Sequence, residues 1–148
     1  MMKLAALLLF TYSGTPCIYY GDEIGMDGDQ DPDCRKCMEW DTAKQDRDLF
    51  SFYQKLIAVR KELPALRTGS LHFLTAEPNG TKLAFERRLG EQSVLVLLNN
   101  DSAGQTIQVN AEGKAWANAF DGQQWLTERG ILSVKLPAYG YAILTEVE

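Results

Sequence analysis

Eight carboxylates fall within twenty consecutive residues of this chain: Asp22, Glu23, Asp27, Asp29, Asp31, Asp33, Glu39 and Asp41. The spacing Asp27-x-Asp29-x-Asp31 imitates the start of a calcium-binding loop. Pro32 stands where such a loop needs its turn glycine, however, and Met38 where it needs its bidentate glutamate. In the same stretch Cys34-x-x-Cys37 supplies half the ligands of a structural zinc site. No second pair follows at suitable spacing, and the remaining Cys17 and the single histidine, His72, cannot be brought near it from sequence. The expectation is therefore no metal and no cofactor. A second group with chemical potential is aromatic: Trp116, Trp125, Tyr139 and Tyr141 could form a sugar-stacking platform, although strand aromatics more often serve packing.

The elements that must position these groups differ in texture along the chain. Residues 1–25 read as an apolar helix stopped at Ser13-Gly14, a turn with Pro16, and a short buried strand Cys17-Ile18-Tyr19-Tyr20 ending at Gly21. Residues 22–45 show no usable periodicity and read as a long loop, a length that in a compact protein usually signals function or disorder. An amphipathic helix is expected from about Asp46 to Leu63, with Leu49, Phe52, Tyr53, Leu56, Ile57 and Leu63 on its apolar face and Pro64 ending it. From Gly69 onward, short β-type runs alternate with turn signals such as Asn79-Gly80, Asp121-Gly122 and Arg129-Gly130, which predicts an antiparallel sandwich of seven or eight strands. The boundary falls near residues 67–70, giving two parts, 1–67 and 68–148.

Bulk composition narrows the function classes. With 148 residues, 45% of them hydrophobic, the chain can bury a core. A formal charge of −5 argues against a nucleic-acid surface, which needs clustered Lys and Arg. Three cysteines favour reduced thiols and a cytoplasmic location. The apolar run in residues 1–10 resembles a short secretory signal, but no small-x-small cleavage site follows, and the run is too short to span a bilayer, so no membrane partner is expected. A helix buried on all sides and a buried parallel strand each need neighbours. Leaving Leu4, Leu7, Leu8, Leu9, Phe10 and Ile18 in water would forfeit roughly 9 to 18 kcal/mol, which predicts that further residues or a second copy of the chain cover residues 1–25.

The string Gly14-Thr15-Pro16-Cys17-Ile18-Tyr19-Tyr20-Gly21-Asp22-Glu23-Ile24-Gly25 resembles the last barrel strand of the α-amylase family, glycoside hydrolase family 13. Asp31-Pro32-Asp33-Cys34-Arg35, with Met38 and Trp40-Asp41, is similar to the neopullulanase, cyclomaltodextrinase and maltogenic amylase branch. So is the closing Leu136-Pro137-Ala138-Tyr139-Gly140. The resemblance implies an α+β fragment: the end of a (β/α)8 barrel (seventh helix, eighth strand, acidic loop, eighth helix) followed by an all-β antiparallel sandwich. It also implies a retaining hydrolase acting on α-1,4 and α-1,6 glucosidic bonds, with an α-glucan or cyclodextrin as substrate.

Retaining hydrolysis needs two carboxyl groups about 5 to 5.5 Å apart flanking the bond. The family carries its catalytic acids on earlier strands, so none is assigned here. Asp22 and Glu23 are adjacent and, on an extended segment, would point to opposite faces. The resemblance assigns Asp31 and Arg35 to contact glucose hydroxyls, Asp31 accepting and Arg35 donating; the bland alternative is a solvated ion pair worth about 0 to 1 kcal/mol. A stand-alone carbohydrate-binding sandwich is the other functional reading.

Overall fold

Residues 1–147 are described by a computed structural model. Leu4, Leu7 and Phe10 recur at helical spacing on α1 (Met2–Thr11) and form one buried stripe. The second helix, α2 (Arg47–Glu62), starts where the side chain of Asp46 accepts a hydrogen bond from Leu49 N, an N-cap that satisfies one orphan amide. It buries Leu49, Phe52, Tyr53, Leu56 and Val59. Pro64 does end α2, and it also occupies the first turn of a short helix, α3 (Pro64–Thr68), where its missing N–H costs nothing.

Eight antiparallel strands follow: β1 (Ser70–Ala76), β2 (Lys82–Leu89), β3 (Gln92–Asn99), β4 (Gln105–Asn110), β5 (Ala115–Asn118), β6 (Gln124–Glu128), β7 (Ile131–Leu136) and β8 (Tyr141–Val147). They run in the order β1-β2-β3-β8-β5-β6-β7-β4, and the sheet folds back so that β4 lies over β1 and β2. β2 and β3 pair in unbroken register from Lys82 opposite Asn99 to Leu89 opposite Gln92, a hairpin whose turn uses Gly90 at φ 57°.

Strand alternation sends side chains into two cores. Ala84, Leu95, Leu97, Ala142 and Leu144 face the sandwich interior with Ile107, Val109, Trp116, Leu132, Val134 and Leu136. Phe85, Val94, Val96, Leu98 and Ile143 face the other way and pack under the three helices. The central strand β3 is therefore buried on both faces. A reading of half-buried strands does not anticipate this, because it takes helices laid on the outer face to bury the second set.

The same packing corrects the expectation for residues 1–25 in part, for the buried stripe of α1. Leu4, Leu7 and Phe10 are covered by the chain itself, inside the core shared by α2, α3 and the sheet. Leu9, Tyr12, Ile18, Tyr19 and Tyr20 remain exposed. The predicted strand over residues 17–20 is not a strand: among the described residues no ladder includes it, because a parallel strand forms only beside a partner.

Two arginines tie the layers together. The Arg87 side chain is 1% exposed and donates to Thr11 O at 2.7 Å, Gly69 O at 2.9 Å, Leu66 O at 3.0 Å and Ser70 O at 3.2 Å. Arg60 donates to Phe10 O and Gly14 O, each at 2.6 Å, and to Leu66 O at 2.8 Å. Both guanidinium groups thus sit at the negative carbonyl ends of α1 and α3, where a cation is favoured. Burial pulls both below the ordinary arginine range. Gly69 lets the backbone at the end of α3 lie close against β2, since a Cβ there would lie 2.5 Å from Ala65 O and 2.7 Å from Arg88 O.

Candidate functional site

The acidic segment is pinned at its base. Ile24 is 4% exposed, and its carbonyl accepts from Asp46 N at 2.9 Å, so the loop leaves and returns beside the N-terminus of α2. Gly21 opens the segment at φ 91°, and its carbonyl accepts from both Ile24 N at 3.1 Å and Met26 N at 2.9 Å. The left-handed φ favours glycine at position 21, and a side chain there would also press on Met26, whose Sδ lies 2.6 Å from where a Cβ would stand.

The loop is not the irregular run expected from sequence. It contains 3₁₀ turns at Asp22–Ile24, Asp33–Arg35 and Thr42–Lys44. These short turns leave no 3.6-residue pattern to read. Asp22 and Glu23 accordingly do not alternate on an extended segment. They occupy successive positions of a 3₁₀ turn, splayed by about 120°, and the Glu23 carboxylate folds back to accept Gly21 N at 3.0 Å. Their negative charge, after burial, helps push the Tyr53 phenol above its ordinary range.

Further out, Lys36 organises the loop. Its Nζ donates to Asp27 Oδ1 at 3.1 Å, and its carbonyl accepts the Tyr20 hydroxyl at 2.7 Å. The Lys36 ammonium holds the Asp27 carboxyl below the usual range. Tyr20 stacks at a tilt on Tyr19, with ring centroids 4.7 Å apart. These residues, with Asp22 and Asp33, line an open depression of about 220 Å³.

Asp31 and Arg35 are brought together, as an ion pair across the second 3₁₀ turn. Both side chains are 64% exposed, and neither lines the depression that Asp22 and Lys36 share. Arg35 retains unused donors, and Asp31 a free oxygen, for a hydroxyl-bearing ligand. Sequence reading missed Lys36 and its contacts with Asp27 and Tyr20, whose separations of nine and sixteen residues match no motif. Cys17, Cys34 and Cys37 are free and exposed, and among the described residues no three His, Cys, Asp or Glu side chains converge as a metal site would require.

The aromatic group divides. Trp116 is buried in the sandwich core, and Tyr141 packs on Phe52 of α2 with centroids 5.2 Å apart. Trp125 is half-buried and Tyr139 exposed. No helix among the described residues is long and apolar enough to cross a membrane.

Comparison with known proteins places this geometry. Residues 71–143 match the maltogenic amylase C-terminal domain, and residues 1–46 match the α-amylase catalytic domain. The chain belongs to the α-amylase family. It is 58% identical over 107 residues to a cyclomaltodextrinase of Bacillus sp., a match covering 72% of the chain and 19% of that protein. It is 41% identical over 145 residues to neopullulanase 2 of Thermoactinomyces vulgaris, covering 96% of the chain and 25% of the relative. A solved cyclomaltodextrinase superposes with a TM-score of 0.89 at 44% identity, over 98% of this chain and 25% of that one. The chain thus spans about a quarter or less of the length of these family members. Its helices and sandwich correspond to the α+β fragment that the resemblance implied.

Proposed function

We propose that this chain forms the substrate-binding end of a retaining α-glucan or cyclodextrin hydrolase of neopullulanase or cyclomaltodextrinase type. In this reading residues 1–67 are the end of the barrel, residues 68–148 are the C-terminal β-domain, and the bond-cleaving carboxylates lie on other strands. The observation that carries it is the near-complete structural likeness to a cyclomaltodextrinase, running through both parts of the chain. Supporting it locally, Glu23 is turned back onto Gly21 N, so Asp22 and Glu23 do not flank a common bond.

Asp31 and Arg35 act as sugar contacts at the mouth. Their ion pair pre-orients the guanidinium, while two-thirds exposure leaves room for a glucose unit. The exposed apolar side chains of residues 1–25 are covered by the remaining barrel or by a second copy. A cytoplasmic location fits three free cysteines and a 41% identical relative named intracellular maltogenic amylase in Bacillus subtilis.

A chimera tests the reading: this chain replaces the matching segment of Thermoactinomyces vulgaris neopullulanase 2, and hydrolysis of β-cyclodextrin and pullulan is followed. The chimera should turn over both while the isolated chain releases no reducing sugar. Arg35→Ala, which removes a charged donor, should raise KM about tenfold with a smaller change in kcat. Turnover by the isolated chain, or an unchanged KM in Arg35→Ala and Asp31→Ala, would refute it.

A further inference from the structure

An open cavity of about 480 Å³ lies away from the acidic loop, where the start of α1 and α2 meets the β5–β6 turn and the β7–β8 turn. That volume is within the span of small-molecule sites, about 300 to 1,000 Å³. On its α2 side stands a packed aromatic cluster: Phe120 lies 5.7 Å from Phe52 and 5.9 Å from Tyr141, centroid to centroid. Half-buried Trp125 and exposed Tyr139 complete its aromatic lining, while Asp121, Gln123 and Lys135 supply acceptors and donors.

Tyr139 is the telling residue. Its φ of 51° is left-handed, a conformation that glycine or asparagine adopts freely and a bulky aromatic does not. The surrounding hydrogen bonds hold it there. Tyr139 N donates to Asp101 O at 3.0 Å, Gly140 N to Pro137 O at 3.0 Å, and Asn99 Nδ2 to Pro137 O at 2.7 Å. The residue is nevertheless 40% exposed, so packing alone does not account for an aromatic at this turn position. A strained residue held by its surroundings at the edge of a cavity is the pattern of a ligand contact.

We propose that this cavity is a second α-glucan site, in which Tyr139 and Trp125 stack on sugar rings and Asp121, Gln123 and Lys135 bond their hydroxyls. A glucose unit has apolar faces and a polar edge, which match aromatic walls with interspersed donors and acceptors. Of the charges lining the cavity, Lys3 and Asp48 pair with each other, which leaves Lys55, Asp121 and Lys135 as charged groups free to bond hydroxyls. The choice of glucan rests on the reading under Proposed function.

The test titrates the full chain with maltoheptaose, by calorimetry and, where Trp125 is present, by tryptophan fluorescence, for the wild type, Trp125→Ala, Tyr139→Gly and Arg35→Ala. Glycine at 139 relaxes the turn, so that variant keeps or gains urea resistance while losing the ring. Expected is saturable millimolar binding that weakens at least about fivefold in each variant. No saturation by about 10 mM, where a 1 mM site is about nine-tenths filled, overturns the proposal. So does unchanged affinity in Tyr139→Gly, or binding lost only in Arg35→Ala, which places the sugar on the acidic loop. Hydrolysis by the chimera is scored separately: turnover with no Tyr139 effect removes the second site and leaves the hydrolase reading standing.

Discussion

Replacing Arg87 by methionine probes how the helices are held to the sheet. Methionine nearly matches the stem of arginine in length and fills similar space, so the substitution removes the guanidinium with little loss of packing. Four carbonyls lose a donor. Leu66 O keeps Arg60 at 2.8 Å, and Ser70 O held the longest of the four bonds, so the severe losses are Thr11 O and Gly69 O. A buried acceptor left without a partner costs about 1 to 3 kcal/mol, so buried Thr11 O together with half-buried Gly69 O, which water can partly reach, gives about 2 to 5. Releasing a buried cation from its desolvation offsets part of this, leaving a net destabilisation of about 2 to 4 kcal/mol.

Urea unfolding of wild type and variant reads this directly. With a slope of about 2 kcal/mol per molar, the midpoint should fall by about 1 to 2 M at unchanged slope. Arg87→Lys keeps the charge but reaches fewer carbonyls, and should recover about half the loss. An Arg87→Met midpoint equal to or above wild type would show that the cost of burying the guanidinium exceeds what its four bonds contribute, and the clamp argument would fall.

Two further outcomes follow from the packing. Burial, then the charges of Asp22 and Glu23, raise the Tyr53 phenol, so the folded state holds its proton where the unfolded chain has lost it. Stability from this group is therefore constant below the ordinary tyrosine value of 10.0 and falls as pH rises above it. Thermal melting at about pH 9 and about pH 11 should show Tyr53→Phe losing less than wild type; equal losses would contradict the assignment, the rest of the slope belonging to Tyr141, which burial also raises. Separately, residues 68–148 expressed alone should fail to give a cooperative melt. A sharp transition close to that of the full chain would show that the sandwich does not need the helices.

Local signals carried much of this fold. The α2 periodicity and the Asp46 start are in the sequence because a cap and a repeating apolar face act within a few residues. The strand number was legible from regularly spaced turns, most of which need a glycine or asparagine at positive φ, as at Asn79, Gly90, Gly122 and Gly130. Residues 17–20 show the limit. Their β-type side chains express a preference that a ladder must realise, and among the described residues no neighbouring strand is there to do so. Asp31 and Arg35 were legible only as a familiar spacing, and the ion pair follows from a 3₁₀ turn that leaves no periodic trace. The Lys36 contacts and the Tyr139 conformation were not legible at all, since both are set by backbone turns rather than by residue pattern.

The two cores explain why the parts behave as one unit although their textures differ. Phe85, Val94, Val96, Leu98 and Ile143 are on strands of the sandwich, but they are buried by α1, α2 and α3. Uncovering five such side chains costs roughly 8 to 15 kcal/mol at about 1.5 to 3 each, the scale of a whole domain's stability. The acidic loop is carried by the same framework: Ile24 O is bonded to Asp46 N, Asp46 caps α2, and Phe52 on α2 packs on Tyr141 of β8. The sandwich thus fixes the height and angle of α2, and α2 fixes where the loop begins and ends. Displacing β8 by even a small register change moves the base of the loop with it, because densely packed side chains between them transmit the shift rather than absorb it.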